Sequence, residues 1–395
     1  TPPRGTGYDQ LLAGCQLDAK GEAATIHLQH PVKHPTSKLD FRVLPAHILK
    51  GASPYTHNYF GMRPVGTGSM SANMGRTGIQ FKAYKNPHHS QNIAHISLVE
   101  AGDPFVDMRM LLEGRVQGIV RPTHLVEAEL LNAQDVTLIG PGPATWWYVA
   151  LNVKHAPLDN IHVRAALDHA IDREKLRTEA EVSGSSLISG PFLPSSDLAN
   201  PNVPNPDFSL EEVERHMTEA GAIKQTGRWL LNDQPIILKI GQLAVLDSET
   251  KDLLVILRNQ FQEAGFDTLT YKVNMSDWTN QTHQLQSYDL IVAKHSTSGN
   301  VGPIFHTPGR GDIGQMNTFA YSNPKVDSLL EQFDRADDEI DAIDAYHELH
   351  TLLAEERPAL FLWTLDPRSA WSNWVMNIII TPDYYYTEFD TWVLP

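Results

Sequence analysis

A strand–helix–strand order in the second half of the chain constrains the fold more than any other feature of the sequence. Short apolar runs predict strands at 236–238 and 269–273. Between them, Leu253, Leu257 and Phe261 repeat at helical spacing and predict an amphipathic helix. A helix that connects two strands of one sheet is a crossover, so the strands pair in parallel. The sequence therefore predicts an α/β fold.

Other segments extend this α/β pattern to most of the chain. Asn232-Asp233 between two apolar runs predicts a hairpin, and Gly265 and Gly221 are expected to end helices. Further strands are predicted at 79–84, 93–99, 117–120, 146–152 and 288–293, and helices after Asn160, after the capping box of Ser209 and Glu212, and at 324–334 and 338–356.

Charge and cysteine content exclude several classes of protein. The chain has 395 residues, of which 31 are Lys or Arg and 47 are Asp or Glu, so its formal net charge is −16. An acidic chain opposes a non-specific grip on nucleic acid, which needs a basic face against phosphate. Its single cysteine excludes an internal disulfide bond and a cysteine-based zinc site. No run of about 18 apolar residues is present, so we predict no membrane-spanning helix.

No motif in the sequence predicts catalysis. Residues 309–314 fit the spacing G-x-G-x-x-G, but they lack the preceding strand and following helix of a dinucleotide site. Among the 18 histidines, His347 and His350 lie at i and i+3, whereas a helical zinc pair needs i and i+4. The sequence has neither a phosphate-binding loop nor a nucleophile elbow. We therefore predict that the protein is not an enzyme and has no cofactor and no metal site.

Three aromatic residues, Trp146, Trp147 and Tyr148, lie on one predicted strand just before the helix-rich part of the chain. Because side chains alternate along a strand, Trp147 points away from the other two. Two interpretations stay open. Either both faces of the strand are buried in the core, or one face lines a ligand cleft, where rings give much contact area at low entropic cost.

A series of short motifs carries a family resemblance. The most specific is the stretch 147–174, in which the aromatic strand leads into the helix after Asn160. The others follow in order at 64–68, 112–118, 264–266, Trp278, 288–290, 323–330 and 355–360. Together they resemble the extracellular solute-binding protein family 5, which includes the dipeptide-, oligopeptide- and nickel-binding proteins of ABC importers. The resemblance covers nearly the whole chain.

This resemblance implies a periplasmic-binding-protein-like fold of cluster C type, with two α/β lobes that close on a ligand by hinge motion. The expected divisions are a remnant of an accessory domain at 1–62, a discontinuous first lobe at 63–156 and 375–395, and a second lobe at 157–374. Family members begin with a signal peptide and a larger accessory domain. We therefore expect the chain to be a fragment, a processed product or a reduced variant.

The function that the resemblance implies is non-enzymatic capture of a peptide-like or other small polar solute for an ABC importer. The expected partners are the solute and a membrane permease, with no nucleic acid, and the expected state is a monomer. The expected location is the periplasm or the cell exterior, in association with the membrane through the permease. The alternative is the ligand-sensing domain of a transcriptional regulator that reuses this fold.

The resemblance also implies where the ligand binds. Peptide binders of this family place an aspartate, preceded by a tryptophan three residues earlier, against the amine of the ligand. Here Ser298 and His295 stand at those two positions. A hydroxyl does not neutralise a desolvated ammonium, so we predict a neutral or anionic ligand. The predicted ligand-binding residues are Trp146, Trp147, Tyr148, His295, Ser296, Ser298, Asn300 and Trp363.

Overall fold

A computed structural model gives the structure of the protein. It describes residues 16–20, 23–27, 45–49, 60, 65–66, 68–75, 78–85, 92–140, 142, 145–180, 182, 185–243, 248–273, 288–296, 301–308, 316–317, 321–336, 339–366, 368–380 and 389–395. Within these residues, no helix is both long enough and apolar enough to cross a bilayer.

The predicted α/β class is confirmed by the elements. The helices are α1 (Ala46–Leu49), α2 (Pro104–Leu112), α3 (His124–Leu130), α4 (Ile161–His169), α5 (Arg173–Glu179), α6 (Leu210–Glu219), α7 (Ser248–Glu263), α8 (Gly302–Phe305), α9 (Pro324–Arg335) and α10 (Glu339–Glu356). The strands are β1 (Gln16–Lys20), β2 (Ala23–His27), β3 (Met70–Gly75), β4 (Gly78–Ala83), β5 (His95–Val99), β6 (Gly118–Ile119), β7 (Val136–Ile139), β8 (Thr145–Leu151), β9 (Ser185–Leu187), β10 (Ile223–Gln225), β11 (Arg228–Leu231), β12 (Gln234–Pro235), β13 (Ile237–Leu243), β14 (Asp267–Val273), β15 (Leu290–Ser296), β16 (Ala359–Leu365) and β17 (Ser369–Ser372).

The chain forms two compact units. The first unit contains residues 1–39 and 145–365, and the second contains residues 40–144 and 366–395. The chain therefore passes from one unit to the other three times, after residues 39, 144 and 365.

A six-stranded sheet in the order β14-β13-β15-β8-β16-β9 is the centre of the first unit. The predicted crossover is confirmed, because β13 and β14 pair in parallel around α7 and β13 also pairs in parallel with β15. Strand β8 runs antiparallel to both of its neighbours, β15 and β16. Gly265 has φ +101°, as expected for the residue that stops the helix before β14.

Both faces of this sheet are covered by helices. One core contains Trp147, Val149 and Leu151 of β8 and the apolar sides of α4, α5, α6 and α7. The other contains Trp146 and Tyr148 of β8 with residues of α8, α9 and α10. The alternation of side chains along one strand thus distributes its residues between two cores. Beside the sheet, β11 and β12 form the predicted hairpin, in which both turn residues have positive φ.

The second unit contains two three-stranded sheets, β3-β4-β5 and β6-β17-β7. Trp371 and Trp392 pack with Ile93, Val375 and Ile380 in one apolar cluster, so residues after 365 contribute to the same core as residues before 145. A bridge between Met376 and Val393 holds the end of the chain. In a second cluster, α2 and α3 pack on β17.

The unit boundaries differ from the expected ones. The sequence places 146–152 in the first lobe and 366–374 in the second, whereas β8 belongs to the six-stranded sheet and β17 pairs with β6 and β7. The difference has a physical reason, since backbone hydrogen bonds to strands more than 100 residues away decide which sheet a strand joins. Most of the expected accessory remnant at 1–62 lies outside the described residues, apart from the antiparallel pair β1 and β2 and the short helix α1.

Candidate functional site

The candidate site is one edge of the six-stranded sheet. Strands β13, β14, β15 and β16 all run in one direction and end at this edge, and β8 and β9 begin there. The register aligns Ser296, Thr145, Leu365 and Ser185 across four adjacent strands. Ligands of open α/β sheets bind outside the carboxyl ends of the strands. Thr145 and Leu365 are the first and last residues of the longer segment of the first unit.

Trp146 and Tyr148 lie on one face of β8, next to this edge. Their ring centroids are 4.5 Å apart, and Trp146 also stacks on Phe305 at 6.5 Å. Both rings are buried in the core that includes α8, α9 and α10. Burial raises the pKa of the Tyr148 hydroxyl, because the phenolate loses its solvation.

Trp147 and Trp363 lie on the opposite face of the sheet. They are direct partners in the register of β8 and β16, and both are buried in the other core. A bulge between Phe361 and Trp363 turns Trp363 onto the same face as its neighbour Leu362. The indole N–H groups of Trp147 and Trp363 have no acceptor among the described residues. An unsatisfied buried donor costs about 1–3 kcal/mol.

Both faces of β8 are therefore buried, which is the first of the two interpretations that the sequence leaves open. Trp146, Trp147 and Tyr148 serve as core residues in the described structure. Direct contact of any of them with a ligand stays a prediction.

His295 and Lys294 precede the carboxyl end of β15. The His295 ring meets Trp146 edge-on at 5.8 Å between centroids, and burial lowers the pKa of the imidazole. His295 is thus neutral at pH 7. Lys294 is exposed, and its Nζ lies 5.0 Å from the centre of the Trp147 ring, at cation–π distance. The backbone of Ser296 pairs with Thr145, whereas Ser298 and Asn300 lie outside the described residues.

The motif at 147–174 has a structural role in the described chain. Arg164 of α4 donates from Nε and Nη2 to the Glu356 carbonyl oxygen at 2.9 and 2.6 Å. Arg173 donates from Nε to the Phe361 carbonyl oxygen at 2.7 Å and pairs with Asp168. Arg357 donates to the other oxygen of Asp168 at 3.1 Å. These bonds join α4 and α5 to the start of β16.

A second motif, at 288–290, joins three strands. The Asp289 carboxylate accepts from the Lys239 N–H at 2.7 Å, and the Asp289 N–H donates to the Lys239 carbonyl oxygen at 2.8 Å. At the end of β8, the Asn152 side chain donates to the Tyr288 carbonyl oxygen at 3.1 Å. The polar residues of this motif thus fix the register at the end of the sheet opposite to the candidate site.

A groove of about 390 Å³ is a feature that the sequence analysis does not predict. It lies at the start of β16, away from the candidate edge, and its walls include Asp168, Arg357 and a proline-containing loop at 202–207. A group of five prolines between 191 and 206 is its signal in the sequence, because proline disfavours helix and central strand and indicates a loop there. Its volume is in the range of small-molecule pockets.

Comparison with known proteins identifies the family. The family model described as bacterial extracellular solute-binding proteins, family 5 middle, matches residues 20–310. Among curated relatives, heme-binding protein A of Haemophilus influenzae is 24% identical over 307 residues, which is 72% of this chain and 51% of that protein. The oligopeptide-binding protein AppA of Bacillus subtilis is 22% identical over 344 residues, 81% of this chain and 61% of the relative. The chain thus spans about half to three fifths of these two relatives.

Solved structures show the same fold. AppA of Bacillus subtilis in complex with a nonapeptide superposes with a TM-score of 0.79 at 19% identity, covering 99% of this chain and 80% of that one. NikA of Brucella suis in complex with Fe(III)-EDTA gives a TM-score of 0.81 at 17% identity, covering 99% and 84%. The predicted resemblance is confirmed, since the matched segment includes β8, α4 and the crossover strands. The chain belongs to the bacterial extracellular solute-binding proteins of family 5.

Proposed function

We propose that the chain is the solute-binding component of an ABC importer and that it holds its solute at the carboxyl edge of the six-stranded sheet, without catalysis. The observation that carries the proposal is that strands β13, β14, β15 and β16 all end at this edge, and ligands of open α/β sheets bind outside the carboxyl ends of the strands. The relatives are named as binding proteins for heme and oligopeptides, which supports capture of a solute and gives no support to a regulator.

The charges near the edge favour a neutral or anionic solute. His295 is neutral at pH 7, because burial lowers the pKa of its ring. Lys294 on the same strand carries a positive charge. Ser298, which follows on the same segment, offers no carboxylate for an ammonium group. An unpaired desolvated ammonium costs several kcal/mol, so a peptide with a free amino terminus is disfavoured relative to a blocked peptide, a sugar-like molecule or a carboxylate.

Two indole N–H groups support binding of a solute that accepts hydrogen bonds. Trp147 and Trp363 are adjacent, buried and without acceptors among the described residues. A solute oxygen that accepts from either group removes the cost of the unsatisfied donor. We propose that these N–H groups select oxygen-bearing solutes.

The primary experiment is isothermal titration calorimetry with matched ligand pairs. Unblocked di- to pentapeptides are compared with their N-acetylated forms, and small carboxylates and sugars are screened in parallel. Blocked or anionic ligands are expected to bind more tightly, and binding is expected to weaken in His295→Ala. Micromolar binding of unblocked peptides that N-acetylation weakens would contradict the proposed solute chemistry.

Two conservative variants test the binding edge. Trp147→Phe and Trp363→Phe keep a ring and remove only the N–H, so each is expected to weaken solute binding by about 3–10-fold, as for one hydrogen bond. Trp229→Phe is the matched control, because this buried Trp is in the same core but donates to the Ala264 carbonyl oxygen at 2.9 Å. The affinity of Trp229→Phe for the solute is expected to equal that of the wild type. Equal affinities for all four proteins would refute the assignment of this edge.

The permease partner and the location need separate tests. We propose that the protein acts as a monomer in the periplasm or at the cell exterior and delivers its solute to a membrane permease. Native mass spectrometry of protein purified from its host is expected to show a monomer with a small co-purified solute. Addition of the loaded protein to its permease in liposomes is expected to stimulate ATP hydrolysis, and no stimulation by the loaded protein would contradict this role.

A further inference from the structure

Two histidines and a glutamate meet between helices α4 and α6 of the first unit. His162 lies in the first turn of α4, and His216 and Glu219 lie at i and i+3 on α6, on one side of that helix. The Nδ1 atoms of His162 and His216 are 3.3 Å apart. Glu219 Oε2 is 3.0 Å from His162 Nδ1 and 3.4 Å from His216 Nδ1. Three potential ligand atoms, His162 Nδ1, His216 Nδ1 and Glu219 Oε2, therefore lie within 3.4 Å of one another.

These distances match the ligand shell of a metal ion. A tetrahedral ion with bonds of about 2.0–2.1 Å holds its ligand atoms about 3.3–3.4 Å apart. The three measured separations, from 3.0 to 3.4 Å, lie close to that value. Two imidazole nitrogens and one carboxylate oxygen are a donor set that Zn²⁺ and its first-row neighbours prefer. His162 and Glu219 are about 40% exposed, so an ion reaches the cluster from solvent.

The surrounding groups suit the second shell of such a site. His216 Nε2 now accepts from Arg215 Nη2 at 2.8 Å, and Glu212 Oε2 lies 3.9 Å from the same nitrogen. When Nδ1 binds an ion, Nε2 carries the proton and becomes a donor. Arg215 also donates to Glu212 Oε2 and to Glu219 Oε1, each at 2.7 Å, so metal binding at Nδ1 requires this half-exposed guanidinium to leave Nε2, and Glu212 is then the nearest carboxylate to that nitrogen. A carboxylate behind a metal-bound imidazole fixes its tautomer and raises its basicity.

We propose that His162, His216 and Glu219 bind a divalent transition-metal cation such as Zn²⁺, with water in the remaining position. The bound ion connects α4 to α6. The ligands come from two helices that are separated by more than 40 residues, so no short spacing motif reveals them in the sequence.

The test is titration of the purified, metal-stripped protein with Zn²⁺ by calorimetry and with Co²⁺ by visible absorption. His162→Gln and Glu219→Gln change exposed ligands and leave the cores intact. Each variant is expected to lose one equivalent of Zn²⁺ binding or to bind that equivalent about 100-fold or more weakly. Each is also expected to lose the visible absorption of tetrahedral Co²⁺. Glu212→Gln is expected to weaken binding by about tenfold and to keep the spectrum.

His306→Gln is the matched control. His306 also lies near two carboxylates, Asp327 at 3.5 Å and Glu331 at 4.0 Å, but it provides a single imidazole. Its Zn²⁺ stoichiometry is expected to equal that of the wild type. Zn²⁺ is also expected to raise the melting temperature of the wild type and of His306→Gln, but not that of His162→Gln.

Two results would overturn the proposal. One is the absence of saturable binding of Zn²⁺ to the wild type. The other is an unchanged stoichiometry and affinity in both ligand variants, which would assign the bound ion to other histidines. Neither result bears on solute binding, because the cluster and the carboxyl edge involve different residues.

Discussion

Replacement of Asp168 tests whether the buried ion network of α4 holds the first unit together. Its carboxylate is 6% exposed and accepts from Arg173 and from Arg357, the latter at 3.1 Å. Arg173 is only 2% exposed, so it has no solvent to replace a lost partner, whereas Arg357 is 25% exposed and regains water. Asp168→Ala therefore leaves one uncompensated buried charge, and we expect a loss of about 3–5 kcal/mol in the free energy of unfolding.

Two further variants separate charge from geometry. Asp168→Asn keeps one acceptor oxygen and removes the charge, so we expect a smaller loss of about 1.5–3 kcal/mol. Asp168→Ala combined with Arg173→Met removes both buried charges and is expected to be more stable than Asp168→Ala alone. Glu174→Ala is the control, because its pair with Arg177 is exposed and such pairs contribute about 0–1 kcal/mol.

The assay is urea unfolding followed by circular dichroism, with the free energy obtained by linear extrapolation. The order of stability is expected to be wild type and Glu174→Ala, then Asp168→Asn, then Asp168→Ala. If Asp168→Ala were within about 1 kcal/mol of Glu174→Ala, the reasoning that Arg173 depends on this carboxylate would be refuted.

Three other predictions concern pH, helix capping and the core. Burial lowers the pKa of His350 from 6.5 to about 4, so the folded state favours the neutral ring. This preference contributes about 3 kcal/mol to the free energy of unfolding above pH 6.5, and the contribution is lost as the pH falls towards 4. Urea unfolding of His350→Leu at a series of pH values should lack this pH-dependent contribution. Asn160 caps α4 by accepting from the His162 N–H at 2.9 Å, so Asn160→Ala should lower the free energy of unfolding in urea by about 1 kcal/mol. The Thr123 side chain makes no capping bond to α3, so Thr123→Ala should cost clearly less. Equal losses in the two variants would contradict this prediction. Trp146→Ala should cost about 3–5 kcal/mol through the cavity that it leaves, and a loss below about 1 kcal/mol would show that the ring is not a core residue.

Local patterns in the sequence predict much of the fold. The spacing of Leu253, Leu257 and Phe261 and the two strand runs predict the parallel crossover, and β13, α7 and β14 confirm it. Asn232-Asp233 predicts a hairpin, and the structure has it, with both turn residues at positive φ, a conformation that short polar residues tolerate. The ordered motifs also identify the family, which the match over 20–310 confirms. The crossover and hairpin signals each lie within a few tens of residues, and each family motif is shorter still.

The candidate site is less predictable, because its residues come from distant segments. The alternation of Trp146, Trp147 and Tyr148 is visible in the sequence, but their burial on both faces depends on helices that lie as far away as residues 339–356. The bulge that turns Trp363 towards Trp147 has no marker in the sequence. Ser298 and Asn300 lie outside the described residues, so their part in binding stays a prediction.

The sequence by itself determined the α/β class, the parallel crossover and the family, since these depend on periodicity, turn chemistry and short motifs. Only the tertiary structure decided which sheet β8 joins, where the chain crosses between units, and which polar groups meet. Strand pairing of Thr145 with Leu365 and the approach of His162 to His216 are long-range events. Their energies depend on backbone hydrogen bonds and packing between elements that are far apart in the chain, which a local pattern does not contain.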